Sequence, residues 1–196
     1  MARSKGGDSR VQPLALELLM ADHRSVEELF DQFEQEKGGD EATRRDIALR
    51  ICNELAVHAQ VEEELLYTWL RENLDDDDVE MVEEAQVEHN TAKDLIAQLE
   101  GATDIDEQYN AKVKVLAEYI KHHVNEEENE IFPRIRDMQE ELDELGQEIA
   151  ARKGELKEEL GMEAGESDET QEDGEEMPAS ARGSSAGREG TRRGTR

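Results

Sequence analysis

Two stretches of the chain carry the same pattern: His58-Ala-Gln-Val-Glu62 followed by Glu63-Glu64-Leu65-Leu66-Tyr67, and His123-Val-Asn-Glu-Glu127 followed by Glu128-Asn-Glu-Ile131-Phe132-Pro133. Aligned, they place His58 on His123, Glu62 on Glu127, Glu63 on Glu128, Leu66 on Ile131 and Tyr67 on Phe132. Helix residues four apart are surface neighbours, with Cβ atoms roughly 6 Å apart, so the His and Glu of each copy address a single ion. Two copies predict a two-sided metal site.

The rest of the chain reads as the helices such a site needs. Pro13 suits a first helical turn, and Leu16, Leu19, His23, Val26, Phe30 and Phe33 follow at alternating steps of three and four, a buried stripe. Gly38-Gly39-Asp40 stops that helix and caps the next. A second helix is expected over about residues 41–72 with the stripe Ile47, Ile51, Leu55, His58, Glu62, Leu65 and Trp69. The Asp75 to Asp78 run reads as a capping loop, since it lacks the ligand spacing and glycine of a calcium loop. The third helix presents Val82, Ala85, His89, Ala92, Ile96 and Leu99 and closes at Gly101. Asp104 or Asp106 caps the fourth, which carries Val113, Leu116, Ile120, His123, Glu127, Ile131 and Ile135. Apolar positions continue beyond Pro133 through Met138, Leu142, Leu145, Ile149, Leu156 and Leu160, predicting either a lengthened fourth helix or a fifth one after Gly146.

Four long helices on short loops predict an all-α fold, an up-down-up-down antiparallel four-helix bundle with an extra C-terminal helical segment. The expected divisions are a disordered arm over residues 1–12, the bundle with its extension over 13–160, and a disordered tail over 161–196. The tail reading rests on composition: residues 165–176 hold seven acids and no base, and 177–196 hold five arginines among Gly, Ser and Thr.

A net charge of −29 argues against nucleic acid, whose phosphates need a basic surface. The longest apolar runs fall well short of the ~20 residues that cross a bilayer, so no membrane partner is expected. The lack of a signal-peptide core and the single cysteine, Cys52, fit a cytoplasmic protein. Cys52 beside Ile51 reads as a small buried filler.

A lone histidine on an apolar stripe is ordinarily a hydrogen-bonded core residue. Here four of the five histidines, one per helix, fall near the middle of their stripes, and two stripes also bury a glutamate. A buried carboxylate costs several kcal/mol unless it is paired or bound to metal. Cations in that layer turn the same residues into ligands. His122, about 100° off its stripe, is left as a surface residue or one packed behind the ligands.

The order His23, His58-xxx-Glu62, His89, His123-xxx-Glu127, with the Glu-Glu and aromatic followers, resembles the hemerythrin-like or HHE cation-binding domain over about residues 13–136. The resemblance implies a four-helix bundle holding two non-haem iron ions, oxo- or hydroxo-bridged. It also implies that His23, His58, His89 and His123 are terminal ligands and that Glu62 and Glu127 bridge. Oxygen-carrying hemerythrins typically place a fifth histidine four residues before the one matched by His89; here Ala85 stands there. That departure leaves two imidazoles per iron, with positions open to water, peroxide or nitric oxide. The ferritin-like alternative needs Glu-xx-His pairs, and Leu55, Gln86 and Ile120 occupy the positions three before His58, His89 and His123. Imidazole with carboxylate suits iron first and manganese second, while closed zinc sites favour one tetrahedral cluster.

Three functions follow. The first is a binding or sensing protein for oxygen, nitric oxide or iron itself. The second is an enzyme degrading hydrogen peroxide or reducing nitric oxide, with Tyr67, Tyr119 or Glu63 passing protons. The third is a metal-free acidic scaffold. Binding or sensing leads, the partner being a small molecule and the oligomeric state left open.

Overall fold

The computed structural model describes residues 12–162; the expected arm, apart from Gln12, and the expected tail, apart from Gly161 and Met162, lie outside them. Among the described residues every regular element is helical. They are α1 (Leu14–Gln35), α2 (Glu41–Val61), α3 (Tyr67–Asn73), α4 (Asp76–Glu100), α5 (Glu107–Glu126), α6 (Phe132–Ile135) and α7 (Gln139–Glu159). Single π-helical turns, Glu62–Leu66 and Glu127–Ile131, join α2 to α3 and α5 to α6. None of these helices is long and apolar enough to cross a membrane.

The helix ends follow from local chemistry. Asp40 accepts the Thr43 backbone N–H at 3.1 Å, and Asp106 that of Tyr109 at 2.7 Å, so orphan donors of α2 and α5 are satisfied. Gly38 takes φ +88° in the turn before Asp40, a conformation that costs glycine little. Asp76 to Asp78 already belong to the first turn of α4, so the expected capping loop is shorter than the aspartate run. α1 has no side-chain cap from its own segment; Leu14 N–H donates instead to Asp143 Oδ1 of α7 at 2.8 Å.

Contacts run from α1 to α2, α2 to α4, α4 to α5 and α5 back to α1, a helical bundle closed on itself. α7 lies against α1 and α2. It is a separate helix, as one of the two expectations had it, but it starts at Gln139, and Gly146 lies inside it. The break falls at Arg136–Met138. Gly146 is required by packing, since a Cβ there would come within 2.6 Å of Ala15 N and 2.7 Å of Leu14 Cβ.

Burial shows one register error in the expected stripes. After Glu62 the core residues are Leu66, Tyr67 and Leu70, not Leu65 and Trp69, which are half-buried. The cause is the π turn: Tyr67 N–H bonds to Glu62 O, five residues back, and the extra residue rotates everything downstream. On α1, Leu29 is buried where Phe30 was expected, Phe30 being half-buried.

The apolar core is in two parts. One holds Leu16, Leu19, Val57, Val61, Leu66, Val82, Ala85, Ile131 and the buried face of α7; the other holds Val26, Phe33, Ile51, Leu55, Ala92, Leu99, Val113 and Leu116. Along the helices, His23 falls between Leu19 and Val26, His58 between Leu55 and Val61, and His89 between Ala85 and Ala92. A polar layer thus divides the core at mid-helix.

Candidate metal centre

The π turns begin at Glu62 and Glu127 themselves, so each widened turn sets one buried carboxylate and re-aims the helix beyond it. All six expected residues lie in this layer and are almost fully buried: His23, His58, Glu62, His89, His123 and Glu127, both glutamates at 0% exposure. Glu62 Oε2 lies 3.2 Å from His58 Nε2 on its own helix and 3.3 Å from His89 Nε2 on α4. Glu127 Oε2 lies 3.6 Å from His123 Nε2 and 3.2 Å from His23 Nε2 on α1. His89 Nε2 and His123 Nε2 are 3.0 Å apart.

Two groups converge closely enough for one ion each, with ligand atoms within 4.8 Å of one another: His23, His58, Glu62 and Glu127, and Glu62, His89 and His123. Glu62 belongs to both. Glu127 belongs to the first, and its Oε1 accepts from the Tyr67 hydroxyl at 3.0 Å. The same hydroxyl is 3.3 Å from His89 Nε2. Tyr119, another expected proton carrier, is exposed.

Around this layer stand residues that sequence reasoning missed or assigned otherwise. Each histidine Nδ1 faces a carboxylate: His23 with Glu128 at 2.9 Å, His58 with Asp22 at 3.3 Å, His89 with Glu63 at 3.1 Å and His123 with Glu88 at 2.9 Å. A carboxylate on Nδ1–H fixes the tautomer and leaves Nε2 as the free donor atom, the arrangement common behind metal-bound imidazoles. Three of these carboxylates are held by permanent cations, Glu63 by Lys93 at 2.6 Å, Glu128 by Arg24 at 2.8 Å and Asp22 by Lys153 of α7. The available signal was adjacency: Asp22 and Glu88 precede a stripe histidine, and Glu63 and Glu128 follow a stripe glutamate.

Burial dominates the electrostatics of the layer. Burial, together with the Glu127 charge, holds the Glu62 carboxyl well above the usual carboxylate range. Burial also acts on Glu127, but the facing His123 and His23 pull it below that range. Burial depresses His58 to about 4 with the His23 charge adding to it, whereas for His23 and His123 the same burial is outweighed by Glu127 and they rise. Glu63, despite partial burial, is brought down to about 2 by His89 and Lys93. Cys52, well away in the apolar core, is pushed up to about 12 by burial and is an inert filler.

Five buried atoms of this layer remain without a hydrogen-bond partner: His23 Nε2, His58 Nε2, both Glu62 carboxylate oxygens and Glu127 Oε2. Unpaired buried polar atoms are expensive, and these converge on the two groups just described. The donor set, imidazole nitrogen and carboxylate oxygen, fits a transition cation in place of the missing partners. Against all four histidines lies a small cavity whose other walls include Val26, Leu55, Ala92, Ile96, Ile120 and Val124. Its free space, about 20 Å³, is on the scale of one water-sized molecule.

Comparison with known proteins agrees with this geometry. Residues 14–135 match the family model described as the hemerythrin HHE cation binding domain. A protein named DNA nickase from Nostoc sp. is 27% identical over 150 residues, which cover 76% of this chain and 41% of that protein, so the matched segment spans under half of the relative. No solved structure matches the chain. α7 lies beyond the matched residues, although its Lys153 reaches the carboxylate behind His58.

Proposed function

The chain belongs to the hemerythrin HHE cation-binding domain family, and on that premise we propose that its buried layer holds two non-haem iron ions and binds or senses oxygen, nitric oxide or iron. The observation that carries this reading is the convergence of unpaired His and Glu atoms on two ion-sized groups, with a cavity of about one small molecule's size against the four histidines.

In this reading His23 and His58 serve one ion, His89 and His123 the other, with Glu62 and Glu127 between them; Glu62's place in both groups supports its bridging role. Manganese is the second choice of metal. When bound, the ions supply Lewis-acid and redox chemistry. The chain's residues do the remainder: Asp22, Glu63, Glu88 and Glu128 orient the imidazoles, Tyr67 holds Glu127, and the apolar wall excludes water. An up-down-up-down course is supported by the order in which α1, α2, α4 and α5 with the π turn that follows it pass the two apolar clusters, reversed from one to the next.

A second reading, an enzyme that degrades hydrogen peroxide or reduces nitric oxide, is favoured by one feature. The Tyr67 hydroxyl, fully buried, stands within hydrogen-bond reach of both Glu127 and His89 and could deliver a proton. A metal-free scaffold accounts poorly for the unpaired buried atoms. We place the protein in the cytoplasm, and we carry over no DNA nicking from the Nostoc relative, since a chain of net charge −29 repels a phosphate backbone.

The deciding experiment is metal analysis of protein purified without chelator, with ultraviolet-visible spectra in air and after anaerobic reduction and re-exposure. About two irons per chain with near-ultraviolet charge-transfer bands are expected for a di-iron centre. A folded chain that takes up no iron would overturn the proposal.

A further inference from the structure

Glu88 breaks the pattern set by its three counterparts. Asp22, Glu63 and Glu128 each meet a lysine or arginine as well as their layer histidine, whereas Glu88, besides His123, meets His122, its Oε1 lying 3.4 Å from Nε2. The same Nε2 is 3.2 Å from Glu126 Oε1, four residues along the helix. One imidazole and two carboxylates therefore point ligand atoms at a common volume, all within 4.8 Å of one another, with the His122 ring largely exposed. Where the other three positions carry a fixed positive charge, this one gathers a second carboxylate.

An independent observation shows where a cation at this point could go. Glu88 and Glu126, with Glu84 and Glu130, line an opening of about 40 Å³ that also reaches His123 and Glu127. Glu127 is fully buried, and its Oε2 has no hydrogen-bond partner. Ala85 borders the same opening. Four carboxylates, Glu84, Glu88, Glu126 and Glu130, thus share the opening that meets the buried Glu127.

We propose that Glu88, His122 and Glu126 form a surface site for a divalent first-row transition cation and that this site loads the buried centre through the acidic opening. Imidazole with two carboxylates suits such an ion, the remaining positions being filled by water. The carboxylate lining focuses the cation and speeds its arrival. The surface site stands on its own residues, whereas the loading role rests on the buried centre proposed above.

The test uses the full chain stripped of metal and Co2+ as the probe, its visible bands reporting ligation. Equilibrium dialysis counts ions, and stopped-flow absorbance follows filling, in the wild type, in a His122→Ala/Glu126→Gln double variant and in Glu62→Ala. Glu88 is left intact because it also holds His123. The expected result is that the double variant loses one weakly held ion, retains the tightly held ones and fills them about tenfold or more slowly. Glu62→Ala should keep the weak ion, so failure of the buried centre and failure of the surface site give different patterns. A double variant that binds as many ions as the wild type, or fills at the same rate, would overturn the proposal.

Discussion

Glu63 Oε1 lies 3.1 Å from His89 Nδ1, so the residue after Glu62 on one helix sets the ring of a histidine on another. The second copy of the motif does the same, Glu128 reaching His23 at 2.9 Å. The remaining two links have a matching form: Asp22, before His23, reaches His58, and Glu88, before His89, reaches His123. Every histidine of the layer is thus oriented by a carboxylate adjacent in sequence to another layer residue. Glu63→Ala should therefore weaken metal retention by about 10–100-fold while leaving the fold intact. Chelator competition followed by spectroscopy measures it, and an affinity equal to that of the wild type would show that His89 needs no such partner.

Removing a bridging carboxylate should be harsher. Glu62→Ala or Glu127→Ala is expected to lose iron and to lower Tm by several degrees, because the histidines then face each other without their shared anion. His122→Ala, exposed and outside the layer, should retain the iron of the buried centre and its Tm at equilibrium. Equal metal content in all three variants would break the assignment.

The attachment of α7 to α1 carries a pH signature. Asp143 accepts from Gln139 and from the Leu14 backbone N–H, and these bonds hold its carboxyl below the ordinary 3.8. A folded pKa below the unfolded one means a contribution fully present above that ordinary value and lost as pH falls through the lowered one. Asp143→Asn should melt lower than the wild type at neutral pH, and the gap should close in acid. A constant gap across that range would mean that charge on Asp143 is irrelevant to the cap.

Two glycines of α7 should respond to alanine with opposite signs. Gly146→Ala drives a methyl into the α1 backbone at Ala15 and should cost about 1–3 kcal/mol. Gly154, exposed within the same helix and with nothing within 4 Å, should gain about 0.5–1 kcal/mol from the same change. Paired thermal melts decide it; a stabilising Gly146→Ala would mean that α7 does not seat on α1 as described.

The sequence by itself determined the helices and the depth of the polar layer. A 3.6-residue period needs no neighbour to be read, and the stripe of α4, from Val82 through His89 to Leu99, is buried as expected at every position. Tertiary structure decided what periodicity cannot encode. The π turn at Glu62 moved the core from Leu65 and Trp69 to Leu66 and Leu70, since a ladder bond of five residues instead of four depends on what the widened turn must reach. The pairing of Asp22, Glu63, Glu88 and Glu128 with rings on other helices depends on how each helix is rotated against its neighbour. Likewise Lys153, over a hundred residues from Asp22 in sequence, becomes its partner only because Gly146 lets α7 lie close on α1. Local spacing chooses which residues are buried; the packing of helices chooses which of them meet.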